Sequence, residues 1–182
     1  NNVQEGYIVV ADSLKENSAK VIKALNDKGI KTVMLTGDNA DYAKDIADKA
    51  GISEYKANLL PVDKVIELEK IMAHKEKQQV VAFVGDGIND APVLMRADVG
   101  ISMGKIGSDS AIEASDIVLM KDDLSGILTA KTIASKTQKI VRENIVFALA
   151  IKVIILILSA FGFANMWWAV FGDVGVAFLA IL

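Results

Sequence analysis

The sequence predicts an α/β fold built on a parallel sheet and followed by a transmembrane helical hairpin. Short apolar segments alternate with segments of helical periodicity over residues 1–137, which is the pattern of parallel sheets with right-handed crossovers. Two long apolar runs follow, at 145–164 and 166–182. We therefore expect a cytoplasmic portion over residues 1–137 and a membrane hairpin over residues 138–182, with helices at about 143–163 and 166–182.

The composition excludes several classes of protein. Hydrophobic residues make up 52% of the 182 residues and the mean hydropathy is +0.37, which excludes intrinsic disorder. The net charge of −3, without a basic stripe, predicts no nucleic-acid partner. The absence of cysteine excludes disulfides, thiolate metal sites and a cysteine nucleophile within this sequence. The first residue is Asn1 rather than methionine, from which we expect a fragment of a longer protein.

The first half of the cytoplasmic portion predicts three strands, each followed by a helix. Apolar runs predict the strands, and Gly29 and Gly51 end the first two helices, as glycine commonly does. Pro61 opens the third helix, because proline is favoured in a first turn. In chain order we expect a strand at Gly6–Ala11, a helix at Ser18–Lys28, a strand at Lys31–Leu35, a helix at Ala40–Ala50, a strand at Glu54–Ala57 and a helix from Pro61 to about Lys75.

The second half continues the alternation. The run Val80–Gly85 is nearly all apolar, which is typical of a central strand buried on both faces. Further strands are expected at Val99–Met103 and Asp116–Met120, with helical stretches near 91–96 and 108–114 between them. In open α/β sheets the functional site lies at the carboxyl ends of the strands. The residues that follow the strands are therefore the candidates for chemistry.

The two apolar runs predict membrane helices. The run 145–164 has 20 residues and one charge, Lys152, and about 20 helical residues cross the hydrocarbon core. The run 166–182 also has one charge, Asp173. A buried hairpin in a soluble core is the alternative, but the preceding portion is small for such a core. The basic residues before the first run predict that residues 1–137 are cytoplasmic; they are Lys131, Lys136, Lys139 and Arg142.

Polar groups follow two of the predicted strands. Thr36, Gly37 and Asp38 could bind phosphate oxygens through the hydroxyl and backbone N–H groups, although such residues more often cap helices. Asp86, Asn89 and Asp90 follow Val80–Gly85 and offer the hard oxygen ligands that suit Mg²⁺. A turn with an N-cap at Asp90 is the alternative for this group, but it leaves Asp86 unexplained.

Three charged residues outside these clusters are further candidates. Lys64, in a predicted first helical turn, is by default a surface lysine, but at the strand ends it could neutralise a phosphoryl oxygen. Lys152 and Asp173 are charges inside predicted membrane segments, where charges are costly and mark function. In a hairpin that turns near Ala164 they are offset by about 5 Å, so a pair that only stabilises the hairpin is the alternative.

Several motifs together resemble one family. The segments GDGINDAPVL, MLTGD, LLPVDK, ADVGISMG and GSDSAIEASDIVLM are similar to the haloacid dehalogenase-type phosphorylation domain of P-type ATPases. The resemblance implies a haloacid dehalogenase-like, Rossmann-like parallel sheet and a pump that cycles through an aspartyl-phosphate with ATP and Mg²⁺. The sequence holds no DKTGT motif, in which such pumps carry the nucleophilic aspartate. The resemblance thus implies the C-terminal part of a pump that alone forms no phosphoenzyme.

The resemblance assigns roles to the strand-end residues. Thr36 and Gly37 would bind the phosphoryl group, and Asp38 would line the nucleotide and Mg²⁺ region. Lys64 would hold the aspartyl phosphate. The remaining residues would form the metal and phosphate pocket, with Asp86 as the main Mg²⁺ ligand and Asn89 and Asp90 completing it.

The membrane segments resemble a subset of these pumps. NIVFALAIK and WWAVFGDVG are similar to the last two helices of zinc-, cadmium- and lead-exporting P-type ATPases. This implies a multi-pass protein of the plasma or inner membrane, in which Asp173 binds the transported divalent metal and Lys152 is a built-in counter-ion. A copper-class pump is one alternative, although Cu(I) prefers thiolate and thioether ligands. A membrane-anchored phosphatase of the same superfamily and an inactive regulatory remnant are the others.

Overall fold

A computed structural model describes residues 14–15, 17–85, 88–103, 109–121, 123–163, 166–176 and 178. The predicted strand at Gly6–Ala11 and the candidate ligand Asp86 lie outside this part of the chain. The chain forms two compact units, Asn1–Leu128 and Thr129–Leu182. The predicted domain boundary at 137/138 stays a prediction.

The first sheet in unit 1 has two parallel strands with helices before, between and after them. The elements are α1 (Ser18–Asn26), β1 (Val33–Leu35), α2 (Ala40–Ala50), β2 (Glu54–Lys56) and α3 (Pro61–His74). Strand β1 pairs with β2 so that Val33 lies opposite Glu54. Helix α2 begins where the Asn39 side chain accepts a hydrogen bond from the Tyr42 N–H, and it ends at Gly51 in the left-handed conformation.

The second sheet in unit 1 has three parallel strands in the order β3-β4-β5. Its elements are β3 (Ala82–Gly85), a 3₁₀ turn (Ile88–Asp90), α4 (Ala91–Arg96), β4 (Val99–Met103), α5 (Asp109–Glu113) and β5 (Ile117–Leu119). Ile101, Met103 and Leu119 form its buried core. The predicted alternation of parallel strands and helices is thus confirmed.

Strand β3 differs from the central, doubly buried strand that its apolar sequence predicts. Ala82 is exposed, and the other residues of the strand are only partly buried. Among the described residues β3 pairs with β4 alone, so its second edge has no described neighbour. A central, doubly buried strand has a strand on each side and helices over both faces, and the described residues supply a neighbouring strand on one side only.

Unit 2 contains most of one very long helix. Helix α6 spans Ser125–Ala160, and its C-terminal part carries the predicted first membrane span. Within the described residues it is the single helix that is long and apolar enough to cross a membrane. The chain then turns at Gly162 and continues as α7 (Met166–Val170) and a π-helix (Phe171–Gly175). The second membrane span stays a prediction.

Asp98 ties the end of α3 to the start of two strands. Its carboxylate accepts hydrogen bonds from the Lys75 ammonium and, at 2.8 Å, from the Val81 N–H. The Val99 N–H in turn donates to the Val81 carbonyl at 3.2 Å. The Lys75 ammonium and then the Val81 N–H hold the pKa of Asp98 below its ordinary value of 3.8. The ionised carboxylate therefore stabilises the folded state.

We expect Asp98→Asn to lower the melting temperature of the chain at pH 7 by a few degrees, because the Lys75 and Val81 donors lose a charged acceptor. A lowered folded-state pKa gives stability that is fully present above the unfolded pKa of 3.8 and is lost as the pH falls through the folded pKa. The difference between wild type and variant should therefore shrink below pH 4, as followed by thermal unfolding. Glu69→Gln, which breaks an exposed pair with Arg96, is the control with little expected effect. A pH-independent difference would contradict this account.

Candidate functional site

Thr36, Gly37 and Asp38 form a tight turn directly after β1. The Thr36 hydroxyl donates to Asp38 Oδ2 at 2.6 Å and accepts from the Asp38 N–H at 3.1 Å. The hydroxyl proton therefore points to the carboxylate. One hydroxyl lone pair remains for another donor, and the second oxygen of Asp38 is not used by these bonds.

This turn is fastened to the segment that leads into α3. The Leu59 N–H donates to the Thr36 carbonyl at 3.0 Å, and the Asn58 N–H donates to the Asp38 carbonyl at 2.7 Å. A Cβ at Gly37 would lie 3.2 Å from the Leu59 carbonyl oxygen, so glycine permits this close approach. The turn at residues 36–38 and the beginning of α3 are thus positioned together.

Asn58 is a positioning residue that the sequence reasoning missed. Its backbone is left-handed, with φ 57°, and among the described residues it is the non-glycine residue with positive φ. Asparagine tolerates this conformation better than most side chains do. The signal in the sequence was an asparagine directly after a predicted strand, which alone indicates only a turn.

Lys64 and Asp90 form a largely buried ion pair. Lys64 Nζ lies 2.8 Å from Asp90 Oδ1, and the two side chains are only 19% and 11% exposed. Lys64 stands in the first turn of α3, where Pro61 fixes the backbone and the Asp63 carboxylate accepts from the Leu60 N–H. A lysine near a helix N-terminus is disfavoured by the helix dipole, and Asp90 offsets this cost. The default interpretation of Lys64 as a surface lysine is therefore wrong.

Asp90 is held against the end of β3 by the 3₁₀ turn. A Cβ at Gly85 would lie 2.9 Å from the Asp90 Cβ and 3.1 Å from Asp90 Oδ2. Gly85 thus leaves the space that the carboxylate occupies. Asn89 precedes Asp90 in the same turn and is exposed. The pair brings together the end of β3, in the second sheet, and the start of α3, the helix that follows the first sheet.

The structure joins the candidates as two pairs, Thr36 with Asp38 and Lys64 with Asp90. The described residues contain no group of three or more His, Asp or Glu side chains that could hold a metal by themselves. Asp86, the expected main Mg²⁺ ligand, lies outside the described residues. The donor set still suits Mg²⁺, which commonly takes one or two carboxylates and completes its shell with phosphate oxygens and water.

The two membrane candidates lie in unit 2. Lys152 is an exposed residue of α6, about two turns before its end. Asp173 is the middle residue of the π-helix, and its side chain lies outside the described part of the chain. π-Helices are rare and frequently occur at functional sites. No pattern in the sequence indicates this widened turn.

Comparison with known proteins identifies relatives over nearly the whole chain. Residues 3–98 match the family model of the haloacid dehalogenase-like hydrolases. The cadmium, zinc and cobalt-transporting ATPase of Bacillus subtilis (strain 168) is 51% identical over 177 residues, which are 97% of this chain and 25% of that protein. The zinc-transporting ATPase of Synechocystis sp. is 51% identical over 178 residues, which are 97% of this chain and 24% of that protein.

A solved structure agrees with these relatives. The crystal structure of a zinc-transporting PIB-type ATPase in the E2.Pi state matches with a TM-score of 0.84 and 41% identity, over 93% of this chain and 27% of that one. The resemblance to heavy-metal P-type ATPases and the haloacid dehalogenase-like fold are therefore confirmed. The chain spans about a quarter of the length of the curated relatives it matches.

We expect Lys64→Met and Asp90→Asn each to destabilise the fold, because each leaves a partner charge largely buried and unpaired. The double variant should cost less than the sum of the single variants, with a coupling free energy of about 1–3 kcal/mol in denaturant unfolding. Lys70→Met is the matched control on the same helix, since Lys70 makes an exposed pair with Glu67. Additive effects of the two substitutions would contradict the structural importance of the pair.

Proposed function

The chain belongs to the haloacid dehalogenase-like hydrolases and aligns with metal-transporting ATPases, and from this premise we propose that it is part of an ATP-driven export pump for Zn²⁺, Cd²⁺ or Pb²⁺. The full pump would cycle through an aspartyl-phosphate. The observation that carries the proposal is the Lys64–Asp90 pair at the carboxyl end of β3, beside which a phosphoryl group would be stabilised.

The pair suits a phosphoryl group because Lys64 has more N–H donors than its bond to Asp90 uses. The Lys64 ammonium has three N–H donors, and the Asp90 bond uses one of them. Within the described part of the chain the other two are left for phosphoryl oxygens, whose negative charge the ammonium offsets. The Asp90 bond holds the ammonium at the strand ends. The Thr36 turn, fastened to the same helix start, would add its hydroxyl and backbone N–H groups.

Asp86 and Asp90 would hold Mg²⁺, with Asn89 beside them. When bound, the cation neutralises phosphate charge and orients the group that is transferred. Asp90 already accepts the Lys64 donor through Oδ1, so Oδ2 is the oxygen left for a cation. Asp38 would line the nucleotide region through its second carboxylate oxygen.

The nucleophile would come from another part of the pump. The sequence holds no DKTGT motif, and covalent catalysis needs an attacking carboxylate. Among the described strands, β1 pairs only with β2 and β3 only with β4. A strand inserted between β1 and β3 would complete one parallel sheet and would end beside Thr36, Lys64 and Asp90. This is where a phosphorylated aspartate would meet all three groups.

The membrane residues would carry the transport step. Asp173 would supply an oxygen ligand to the metal, and Lys152 would pair with that carboxylate after the metal leaves. A carboxylate left without a counter-ion in a low-dielectric site is strongly unfavourable, so a tethered ammonium lowers the cost of the metal-free state. The copper-class alternative is disfavoured because the two ATPase relatives described above both transport zinc, and Cu(I) prefers sulfur ligands.

We expect the purified full-length pump in lipid nanodiscs to hydrolyse ATP in a Zn²⁺-stimulated manner. Asp173→Asn should remove nearly all of the stimulation, because the metal loses a charged ligand. Lys152→Ala should lower turnover at saturating Zn²⁺, because the metal-free carboxylate loses its counter-ion. Glu143→Gln is the control, since Glu143 pairs with Lys139 at 3.8 Å in an exposed position of the same helix. Unchanged Zn²⁺-stimulated turnover in both test variants would exclude the proposed transport site.

A further inference from the structure

Gly172 of the π-helix packs against Ile155 of α6 in unit 2. It is buried, and a Cβ at this position would lie 2.6 Å from Ile155 Cδ1 and 3.8 Å from Ile155 Cγ1. Helix α6 ends at Ala160 and the chain returns to Ile155 at residue 172, so the two segments run antiparallel. Because glycine has no side chain, the Ile155 side chain packs directly against the backbone of the π-helix.

The burial pattern agrees with α6 facing the return segment at this level. Val176, one helical turn beyond Gly172, is fully buried. On α6 the less exposed residues of the apolar part recur at intervals of four and three residues; they are Asn144, Ala148, Ile151 and Ile155. This spacing is the stripe of a helix that packs against a neighbour. Ile155 belongs to the stripe, and Lys152 lies next to Ile151 at its flank.

The contact fixes the axial register of the two charged positions. Lys152 is three residues before Ile155, and Gly175 is three residues after Gly172, so these two positions lie at the same level. Asp173 is two residues from Gly175, which corresponds to about 3 Å along a helix axis. A lysine side chain spans this offset readily, because its ammonium stands on a flexible four-carbon stem.

We propose that Gly172 is a positioning residue for metal transport, which seats Ile155 and thereby sets the register and the separation of Lys152 and the metal-binding Asp173. This inference rests on the proposed function. A Cβ at residue 172 meets the Ile155 Cδ1 methyl group at 2.6 Å, so either the Ile155 side chain rotates out of its seat or the π-helix moves away from α6. The separation of Lys152 and Asp173 then changes in the metal-free state. The position of Asp173 in the metal-bound state changes as well, because Asp173 is adjacent to Gly172.

The structure supplies a compensating substitution. The close atom is Ile155 Cδ1, which Ile155→Val removes, whereas the next atom already lies at ordinary contact distance. In the full-length pump, Gly172→Ala should reduce Zn²⁺-stimulated turnover several-fold and shift the Zn²⁺ concentration for half-maximal stimulation. Ile155→Val alone should stay near wild type, and Gly172→Ala with Ile155→Val should recover most of the loss. Val174→Leu, which adds one carbon at an exposed position of the same turn, is the matched control.

Each outcome of this experiment either supports the proposal or overturns it. Loss in the single variant with recovery in the double variant supports the proposal. An unchanged Gly172→Ala variant, or a double variant no better than the single one, overturns it. If Gly172→Ala fails to accumulate as folded protein, the double variant decides: recovery of a folded, Zn²⁺-stimulated pump supports the proposal, and continued failure overturns it.

A second measurement tests the register without relying on activity. The sequence holds no cysteine, so Ile155→Cys with Gly172→Cys introduces one possible disulfide into the 182-residue chain. The pair should oxidise and lose reactivity towards maleimide, because a Cβ at residue 172 would lie 3.8 Å from Ile155 Cγ1, close to the place that a cysteine Sγ at residue 155 would take. Val153→Cys with Gly172→Cys, which uses an exposed residue of α6, should stay reactive. Equal reactivity of the two pairs would overturn the register, whereas a wild-type pump without Zn²⁺ stimulation would overturn the proposed function alone.

Discussion

The described part of unit 1 depends on one ion pair, between Lys64 at the start of α3 and Asp90 after β3. Each charge is placed at a cost: the lysine stands against a helix dipole, and the carboxylate is packed over Gly85. Because Lys64 is on the helix that follows the first sheet and Asp90 follows β3 of the second, their attraction also fixes the strand ends relative to each other. In the proposed pump the same contact would also prepare a positive charge for a phosphoryl group.

The sequence predicted the elements well where local chemistry decides them. Helix α2 was expected at Ala40–Ala50 and has these bounds, because Asn39 caps its start and Gly51 its end. The bounds of β4 were also correct, and α6 ends at Ala160, near the end expected at about residue 163 for the first membrane helix. Apolar spacing, glycine and capping residues are local signals, and the folded chain keeps them.

Long-range relations could not be predicted in the same way. Lys64 and Asp90 were singled out separately, but no pattern in one sequence pairs residues that are 26 positions apart. The left-handed backbone of Asn58 and the π-helix around Asp173 were missed as well, since both arise from tertiary packing rather than from composition. The partial exposure of β3 has the same origin. Its apolar sequence predicts a strand that is covered on both faces, but among the described strands it pairs with β4 alone.

The left-handed backbone of Asn58 has a consequence for genetic variation in this protein. Its N–H donates to the Asp38 carbonyl, so a residue that disfavours positive φ would disturb the turn at residues 36–38 from a distance. Glycine would be tolerated there, while a β-branched residue would not. A variant such as Asn58→Val would therefore disturb Thr36 and Asp38 without replacing either residue, and the cause would be a single backbone torsion angle.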